Sequence, residues 1–480
     1  MRHTHRSPLR WAALGLVTAC SVNPVTGRRE LSFISESQEI QMGKEYDQQV
    51  VATMGLYQDE ATQRYVQELG ARLAAGSERP NLPWTFRVID DPVVNAFALP
   101  GGYIYVTRGI MAHLNTEAQL AGVIGHEIGH VTARHSVQQM TTQTLMQAGL
   151  VAGVLLKPEL ADYAGAASAA MGVLFLKFGR DDESQADELG FRYMRKQRYD
   201  PREMGEVFGV LQRVSAASGA GRVPEWASTH PDPVNRQAKA VARADTIPAA
   251  ELEAALVRRP EYLSRLDGMV FGDDPREGYF KGARFLHPQM RFEITFPQGW
   301  KTMNQKAGVI GVSPREDAVF QLTLAQESSP AEAARAFFTQ EAVTGRASSS
   351  RVNGLDAAGG GFSANTQNGV LRGHVLFVSH GQGVFQLLSY AASANWDGYS
   401  GVANQAMQSF KPLNDQSLIN VQPWRLDLVT LDRTMTPQEF AQRYPGPVDA
   451  AGTALVNQLE EGGRFMARNT VKRIVGQRFQ

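Results

Sequence analysis

The chain has 480 residues, of which 43% are hydrophobic, and it carries 48 basic and 48 acidic side chains. This length allows two to four domains with sizeable cores, and the hydrophobic content is ordinary for a soluble protein. The balanced charge offers no basic patch, so nucleic acid is not expected as a partner.

The amino terminus has the pattern of a secretory signal. Arg2, Arg6 and Arg10 precede a short apolar run at residues 11–17, and two small residues, Thr18 and Ala19, then stand before Cys20. A cysteine directly after Val-Thr-Ala resembles the signal of a bacterial lipoprotein, in which that thiol is lipidated. The alternative is a signal peptide with a stray thiol. Cys20 is also the only cysteine of the chain, so no disulfide can form within it.

This pattern predicts a lipoprotein signal peptide at residues 1–19 and a polar tether at residues 20–35. Lipid on Cys20 implies a membrane partner and a location in the bacterial periplasm, and Ser21 after the cysteine favours the outer membrane. No later apolar segment reaches the roughly 18 residues that a spanning helix needs.

The chain then shows helical periodicity, a short strand and a predicted hairpin at residues 93–106, with its turn at Pro100-Gly101-Gly102. Residues 95–99 of this hairpin are suited to be an edge strand that pairs with an extended substrate, with Asn95 as a substrate contact. A plain hairpin without that role would have the same sequence pattern.

The central motif is His126-Glu127-Ile128-Gly129-His130, which we interpret as part of a helix that begins at Thr116. Histidines four residues apart lie on one helix face and can hold one zinc ion. Glu127 lies about 100° further round the helix, where its carboxylate can take a proton from an attacking water. The alternative is a pair of histidines that cap the helix or fill a core.

Glycine is frequent in this helix, at Gly122, Gly125 and Gly129. Each glycine costs about 1 kcal/mol of helix propensity, so their presence indicates close packing against another element. Two uncharged stretches follow, at residues 144–156 and 163–176. We interpret them as helices of the core, and the alternative is a lid or a membrane-contacting patch.

A catalytic zinc needs a third protein ligand. Ser136 stands where a third histidine would mark a metzincin, and His135 lies about 140° off the ligand face, which indicates a supporting or structural role. Glu183 and Asp187 lie one turn apart on a later helix, so the first can bind zinc and the second can orient a ligand histidine. The alternative is an acidic, solvated helix start.

Four segments together resemble the zinc peptidase family of the CAAX prenyl proteases and the HtpX membrane peptidase, and in particular its soluble bacterial members. They are Asn95-Ala-Phe-Ala-Leu-Pro-Gly-Gly102, His126-Glu-Ile-Gly-His-Val131, Arg180-Asp-Asp-Glu-Ser-Gln-Ala-Asp187 and Thr229-His-Pro-Asp-Pro-Val-Asn-Arg236. The resemblance covers roughly residues 22–245 and implies one zinc ion per chain, bound by His126, His130 and Glu183, with Glu127 as the general base.

The same resemblance draws attention to His230. It could stabilise the oxyanion of the reaction, or it could bind zinc and hold the enzyme latent, as the resemblance suggests for soluble members. The alternative is a histidine that caps a helix before Pro231. Arg236 would help to position it. Gly179 departs from the family pattern, which usually has serine before Arg180.

A different sequence texture begins near residue 272. Residues 290–296 alternate between apolar and polar side chains, which predicts a strand with one buried face in an α+β domain over 272–412. The last unit, residues 424–480, resembles a LysM peptidoglycan-binding module. The residues that carry this likeness are Thr436, Phe440, Ala441, Tyr444, Asn457, Gly463, Val471 and Lys472.

The sequence thus predicts an α+β multidomain protein: a mainly helical, zincin-like metallopeptidase domain with a small sheet at residues 36–268, the α+β domain, and the LysM-like unit. The function predicted is a zinc endopeptidase that hydrolyses misfolded or stalled proteins of the bacterial envelope, with protein substrates and peptidoglycan as partners. The alternative is a non-catalytic, peptidoglycan-associated or chaperone lipoprotein.

Overall fold

A computed structural model describes residues 20–143, 178–217, 229–230, 233–366 and 369–476. The chain divides into two compact units. The first comprises the residues up to Gly272 together with Arg425–Val475, and the second comprises Asp273–Trp424 with Gly476–Gln480. The predicted signal peptide and the two helices predicted within 144–176 lie outside the described residues. The secondary structure is a mixture of helices and strands, as predicted for an α+β protein.

The first unit is mainly helical. Its helices up to Leu266 are α1 (Glu36–Met54), α2 (Glu60–Ala74), α3 (Arg108–His113), α4 (Glu117–Thr132), α5 (Arg180–Lys196), α6 (Arg202–Ala217), α7 (Pro233–Ala244), α8 (Ala249–Glu253) and α9 (Arg259–Leu266). Its strands in this part are β1 (Cys20–Val22), β2 (Arg29–Leu31), β3 (Thr85–Ile89), β4 (Ala96–Leu99), β5 (Tyr103–Thr107) and β6 (Val270–Phe271). No helix in the described ranges is both long and apolar enough to cross a bilayer.

A three-stranded sheet in the order β3-β5-β4 accompanies these helices. β3 runs parallel to β5, and β4 is antiparallel to it. The predicted hairpin is therefore confirmed, and its turn contains Gly101 and Gly102 at φ values of 80° and 101°, which glycine adopts readily.

The second unit is built on antiparallel sheets. Its helices are α10 (Pro330–Phe338), α11 (Ser400–Gln408) and α12 (Gln416–Ile419), and its strands are β7 (Tyr279–Lys281), β8 (Arg284–His287), β9 (Phe292–Thr295), β10 (Lys301–Gln305), β11 (Gly308–Val312), β12 (Ala318–Leu324), β13 (Val343–Gly345), β14 (Ser348–Val352), β15 (Leu355–Thr366), β16 (Gly369–His380), β17 (Gly383–Ala392) and β18 (Lys411–Pro412). The larger sheet has the order β10-β11-β12-β17-β16-β15-β13, with β14 also paired to β15, and the smaller has the order β18-β9-β8-β7.

The strand predicted at residues 290–296 is present as β9, but the prediction that only one of its faces is buried is wrong. Glu293 is buried as well, because its carboxylate pairs with Arg284 at 2.5 Å and with Lys411 at 2.9 Å. A buried carboxylate is tolerated when such partners neutralise it.

The C-terminal part of the first unit has a β-α-α-β order: β19 (Trp424–Thr430), α13 (Pro437–Arg443), α14 (Ala450–Val456) and β20 (Thr470–Val475). These residues were predicted as a separate last unit, but 425–475 lie within the first compact unit. The reason is a set of buried polar contacts. Lys472 Nζ donates to the carbonyls of Ala112 and Leu114 at 2.7 and 2.8 Å, and Asn115 donates to the carbonyl of Asn457 at 2.9 Å.

The segment predicted as a tether is folded. β1 and β2 form an antiparallel hairpin in which Ser21 faces Glu30. Ser21 Oγ accepts a hydrogen bond from Arg134 at 3.0 Å, and the buried Asn23 side chain donates to the carbonyl of Ala133 at 3.2 Å. The polar side chains that suggested a tether therefore make hydrogen bonds to residues just beyond α4.

Helix α4 carries the predicted zinc motif and is buried along its whole length. Glu117 in its first turn accepts hydrogen bonds from Tyr65, at 2.9 Å, and from Tyr199. At its other end, the carbonyl of Val131 accepts a hydrogen bond from Arg79 at 3.0 Å. A carboxylate at the amino end and a cation at the carboxyl end complement the helix dipole, so both ends of α4 are fixed.

The glycines of α4 allow its backbone to touch that of α5. A Cβ added at Gly129 would lie 3.0 Å from the Cα of Ala186, and one added at Gly190 would lie 2.9 Å from the backbone nitrogen of His126. Real Cβ contacts are essentially never closer than this, so the close packing predicted from the glycines is confirmed. Gly125 faces Gly190 in the same contact.

This contact predicts that Gly190→Ala pushes α4 and α5 apart and destabilises the protein by about 1–3 kcal/mol. Gly205→Ala is the matched control: Gly205 lies inside α6, where an added Cβ would meet only ordinary contacts at 3.6 Å or more, and alanine favours a helix by up to about 1 kcal/mol. Denaturant unfolding of the two variants measures the difference. Equal stability of both variants would contradict the proposed backbone contact.

Candidate metal centre

Four side chains from three parts of the first unit converge in its interior. His126 and His130 lie on α4, Glu183 lies on α5, and His230 lies in the short described stretch before α7. One ligand atom from each lies within 4.8 Å of the others, and all four residues are buried. The structure thus brings together the three residues predicted to bind zinc, and it places His230 beside them, where one of its two predicted site roles, that of a zinc ligand, is possible.

The spacing of these atoms fits a divalent cation. His126 Nε2 lies 2.9 Å from His130 Nε2 and 3.3 Å from His230 Nδ1, and Glu183 Oε1 lies 3.4 Å from His130 Nε2 and 2.9 Å from His230 Nδ1. Ligands at about 2.0–2.1 Å from a tetrahedral zinc are about 3.3 Å from one another. Three imidazole nitrogens and a carboxylate oxygen therefore form a set that a tetrahedral metal would satisfy.

Asp187 and Arg236 support this set. His126 Nδ1 lies 2.9 Å from Asp187 Oδ1, so the nitrogen that faces away from the cluster has an anionic partner, as predicted. Arg236 binds both oxygens of Asp187 at 2.6 and 2.9 Å and lies 2.6 Å from Glu183 Oε2. Burial would raise the pKa of the Asp187 carboxyl, but Arg236 and His126 lower this pKa to about 2, which keeps it charged.

The charge of Glu183 is stabilised in the same way. Burial opposes ionisation, but His230, His130 and Arg236 hold the pKa of the Glu183 carboxyl well below its usual value. The side chain therefore offers an anionic oxygen to a metal while its other oxygen contacts Arg236. The alternative of a solvated, acidic helix start does not describe this residue, because Glu183 is only 1% exposed.

Glu127 lies next to the cluster with a free oxygen. Its Oε1 is 3.8 Å from His230 Nε2, and its buried Oε2 accepts no hydrogen bond from any described residue. Burial raises the pKa of the Glu127 carboxyl, while His230 and His126 oppose this rise. A buried carboxylate with an open acceptor site is suited to receive a proton.

His230 faces the cluster with Nδ1 and faces Glu127 with Nε2. Burial lowers the pKa of the imidazole, but the nearby carboxylates of Glu183 and Glu127 outweigh burial and raise this pKa overall. The backbone N–H of Phe178 donates to the carbonyl of Thr229 at 3.3 Å, which links the His230 stretch to the start of α5.

Sequence reasoning missed Phe178 and Gln185. The Phe178 ring stacks on the His130 imidazole with 4.0 Å between ring centroids, and Gln185 Oε1 lies 2.8 Å from His135 Nε2. His135, in turn, lies beside His130, with 2.9 Å between their Nδ1 atoms. Neither an aromatic residue before α5 nor a glutamine within it has a distinctive spacing, so the sequence carried no signal for these contacts.

Gly179, which departs from the family pattern, has only a small effect on the capping of α5. Glycine cannot supply a capping side chain, but the Asp182 carboxylate accepts a hydrogen bond from the Gly179 N–H at 3.0 Å. One half of a capping box is therefore present, and α5 still begins at Arg180.

Two other predicted site residues lie apart from the four-residue cluster. Asn95 is buried directly before β4, an edge strand that packs beside α4, and its Oδ1 accepts no hydrogen bond within the described chain. Cys20 begins β1. A substrate contact for Asn95 and lipidation of Cys20 both stay predictions.

Comparison with known proteins agrees with this geometry. The sequence profile of Peptidase family M48 matches residues 60–244, which contain His126, His130, Glu183 and His230. The β-barrel assembly-enhancing protease of Escherichia coli (strain K12) is 31% identical over 232 residues, which cover 46% of this chain and 47% of that protein. The mitochondrial metalloendopeptidase OMA1 of Arabidopsis thaliana is 34% identical over 182 residues, covering 37% of this chain and 35% of that protein.

The donor set and the sequence match are thus those of a metallopeptidase unit. Residues 60–244 match Peptidase family M48, in agreement with the resemblance that the four motifs indicated. The chain spans about half the length of the Escherichia coli relative. Among solved structures, cyanobacterial PsbP (CyanoP) from Synechocystis sp. PCC 6803 aligns with 28% of this chain and 94% of its own, at 12% identity and a TM-score of 0.24.

Replacement of Glu183 by glutamine should weaken zinc binding by roughly 100-fold or more, because the only anionic donor of the cluster loses its charge. Competition with a chromophoric chelator measures the affinity. Glu188→Gln, on the exposed face of the same helix, is the matched control and should bind zinc like the wild type. Equal affinities for the two variants would exclude Glu183 as a ligand.

Proposed function

We propose that this protein is a zinc-dependent endopeptidase of the bacterial cell envelope that cleaves misfolded or stalled envelope proteins. The observation that carries the proposal is the buried carboxylate of Glu127, which keeps an open acceptor oxygen beside three imidazoles and a carboxylate arranged for one metal ion. A purely structural metal site does not require a buried carboxylate with an open acceptor oxygen beside its ligands.

The proposed mechanism assigns roles to the residues of the cluster. His126, His130 and Glu183 would hold the metal. A zinc ion bound there would supply Lewis-acid polarisation of the scissile carbonyl and make water easier to deprotonate. Glu127 takes the proton of the attacking water on Oε2 and returns it to the leaving amine nitrogen. Asp187 and Arg236 keep His126 in the orientation that the metal requires.

Strand β4 is the proposed substrate strand. It is an edge of the sheet β3-β5-β4 and lies beside α4, so an extended peptide that pairs with it would run past the cluster. Asn95, directly before this strand, is the proposed side-chain contact. Pairing through backbone hydrogen bonds requires an unfolded substrate segment, which fits misfolded or stalled proteins as substrates.

His230 is proposed to hold the enzyme at rest. Its Nδ1 completes a set of four donors, whereas a catalytic zinc site leaves the fourth position open for water. The His230 imidazole must therefore move before hydrolysis. Once displaced, it would still lie near Glu127 and the oxyanion, so a second role in stabilising that charge is the alternative.

The envelope location is proposed from the sequence: a signal peptide, lipid on Cys20 and a periplasmic position at the outer membrane. The β-α-α-β order of residues 425–475 supports the LysM-like assignment, and with it contact with peptidoglycan. The name of the Escherichia coli relative, a β-barrel assembly-enhancing protease, supports a role among envelope proteins.

Glu127→Gln should lower the cleavage of an unfolded protein such as reduced casein by about 10²–10⁴-fold, because glutamine cannot accept the proton. Zinc content should not change, since Glu127 is not among the metal donors. Activity is measured by peptide release, and zinc by elemental analysis. Glu188→Gln is again the control with wild-type activity. Full activity of Glu127→Gln at full zinc occupancy would remove Glu127 as the base.

His230→Ala should raise the basal cleavage rate at equal zinc occupancy, because the fourth metal position is then open to water. Initial rates on a fluorogenic peptide, normalised to bound zinc, measure the effect. A lower rate with zinc retained would instead assign His230 to stabilisation of the oxyanion.

A further inference from the structure

The two histidines of α4 are supported in different ways. The outward nitrogen of His126 faces the Asp187 carboxylate, which Arg236 holds by two hydrogen bonds. The outward nitrogen of His130 faces no carboxylate among the residues that the structure describes. It lies 2.9 Å from Nδ1 of another imidazole, that of His135.

The geometry assigns the protons of this second support. His130 Nε2 faces the cluster, 2.9 Å from His126 Nε2 and 3.4 Å from Glu183 Oε1, so it must be unprotonated to bind a cation. The proton of a neutral His130 is therefore on Nδ1, which donates to Nδ1 of His135.

The acceptor role of His135 fixes its own tautomer. Because His135 Nδ1 accepts, its proton is on Nε2, which donates to Gln185 Oε1 at 2.8 Å. The Asp182 carboxylate is 3.7 Å from this nitrogen, beyond hydrogen-bond length. His135 is 1% exposed, so water does not replace either partner.

The end of helix α4 brings His135 into this position. On a continuous helix, it would lie about 140° from His130. Helix α4 ends at Thr132, however, and Arg134 adopts a left-handed φ of 60°. The Arg134 side chain is held by Glu39 at 3.0 Å and by the carbonyl of Ile34 at 2.8 Å. This turn directs the next residue back toward His130.

We propose that His135 is a positioning residue for metal binding: as an obligatory hydrogen-bond acceptor, it keeps the His130 proton on Nδ1 and so leaves Nε2 free for the metal. Gln185 completes the relay by keeping the His135 proton on Nε2. The inference rests on the metal site of the proposed function, but not on peptidase activity. Of the two histidine ligands on α4, His126 is then supported by a carboxylate and His130 by a neutral imidazole.

The test compares His135→Asn with His135→Leu in the full chain. Asparagine places Oδ1 where histidine has Nδ1 and can accept the same hydrogen bond, whereas leucine has a similar size and no acceptor. Zinc affinity, measured by chelator competition, should fall by about 10–100-fold in His135→Leu and stay within about threefold of wild type in His135→Asn. The visible spectrum of bound Co²⁺ should change only in the leucine variant.

Thermal unfolding of the metal-free proteins provides the control for folding. If His135→Leu does not fold, Gln185→Leu is the second variant. Its zinc affinity should fall by severalfold, because the N–H at His135 Nε2 loses its hydrogen-bond acceptor. Wild-type affinity in His135→Leu, equal losses in the leucine and asparagine variants, or an unchanged Gln185→Leu would each overturn the proposal. If the wild type and His230→Ala both bind zinc and neither cleaves casein, the proposed function is refuted and this inference still stands.

Discussion

The metal centre depends on a backbone contact between two helices. α4 and α5 meet at Gly125, Gly129 and Gly190, where an added Cβ would collide with or crowd the facing backbone. Helices separated by larger side chains lie about 8–10 Å apart. Here they come close enough for a glutamate on one helix to reach two histidines on the other. The cost of glycine in a helix is therefore part of what brings the ligands together, and this contact explains why a helix so rich in glycine is buried rather than exposed.

The second constraint is the balance of buried charge around the cluster. Glu183 and Asp187 lie one turn apart, and both are held ionised, although burial opposes their charge. Arg236 contacts both carboxylates but supplies one positive charge for two negative ones. An uncompensated charge in the interior is costly, so a bound divalent cation would lower the energy of this arrangement as well as serve a reaction. The same residues thus contribute to stability and to the site.

The position of His230 is the structural basis of the proposed resting state. With His230 facing Glu183 and His126, the four donors form a closed set, and a stable metal site likewise has four protein ligands. Hydrolysis needs an open position, so under the proposed function this arrangement is the resting form. A backbone hydrogen bond between Phe178 and Thr229 helps to keep His230 in place. The Phe178 ring also stacks on His130. A substrate or partner that displaces this stretch would open the site without disturbing the two helices.

The sequence by itself determined the parts of the site that depend on local periodicity. The spacing of His126 and His130, the cap at Thr116 and the need for a close-packed neighbour all follow from one stretch of helix, because side-chain direction repeats along a helix in a known way. Only the tertiary structure decided that His135 turns back to support His130, and that residues 425–475 join the first unit. These outcomes depend on a left-handed turn and on buried hydrogen bonds between residues far apart in the chain, and neither leaves a periodic trace in the sequence.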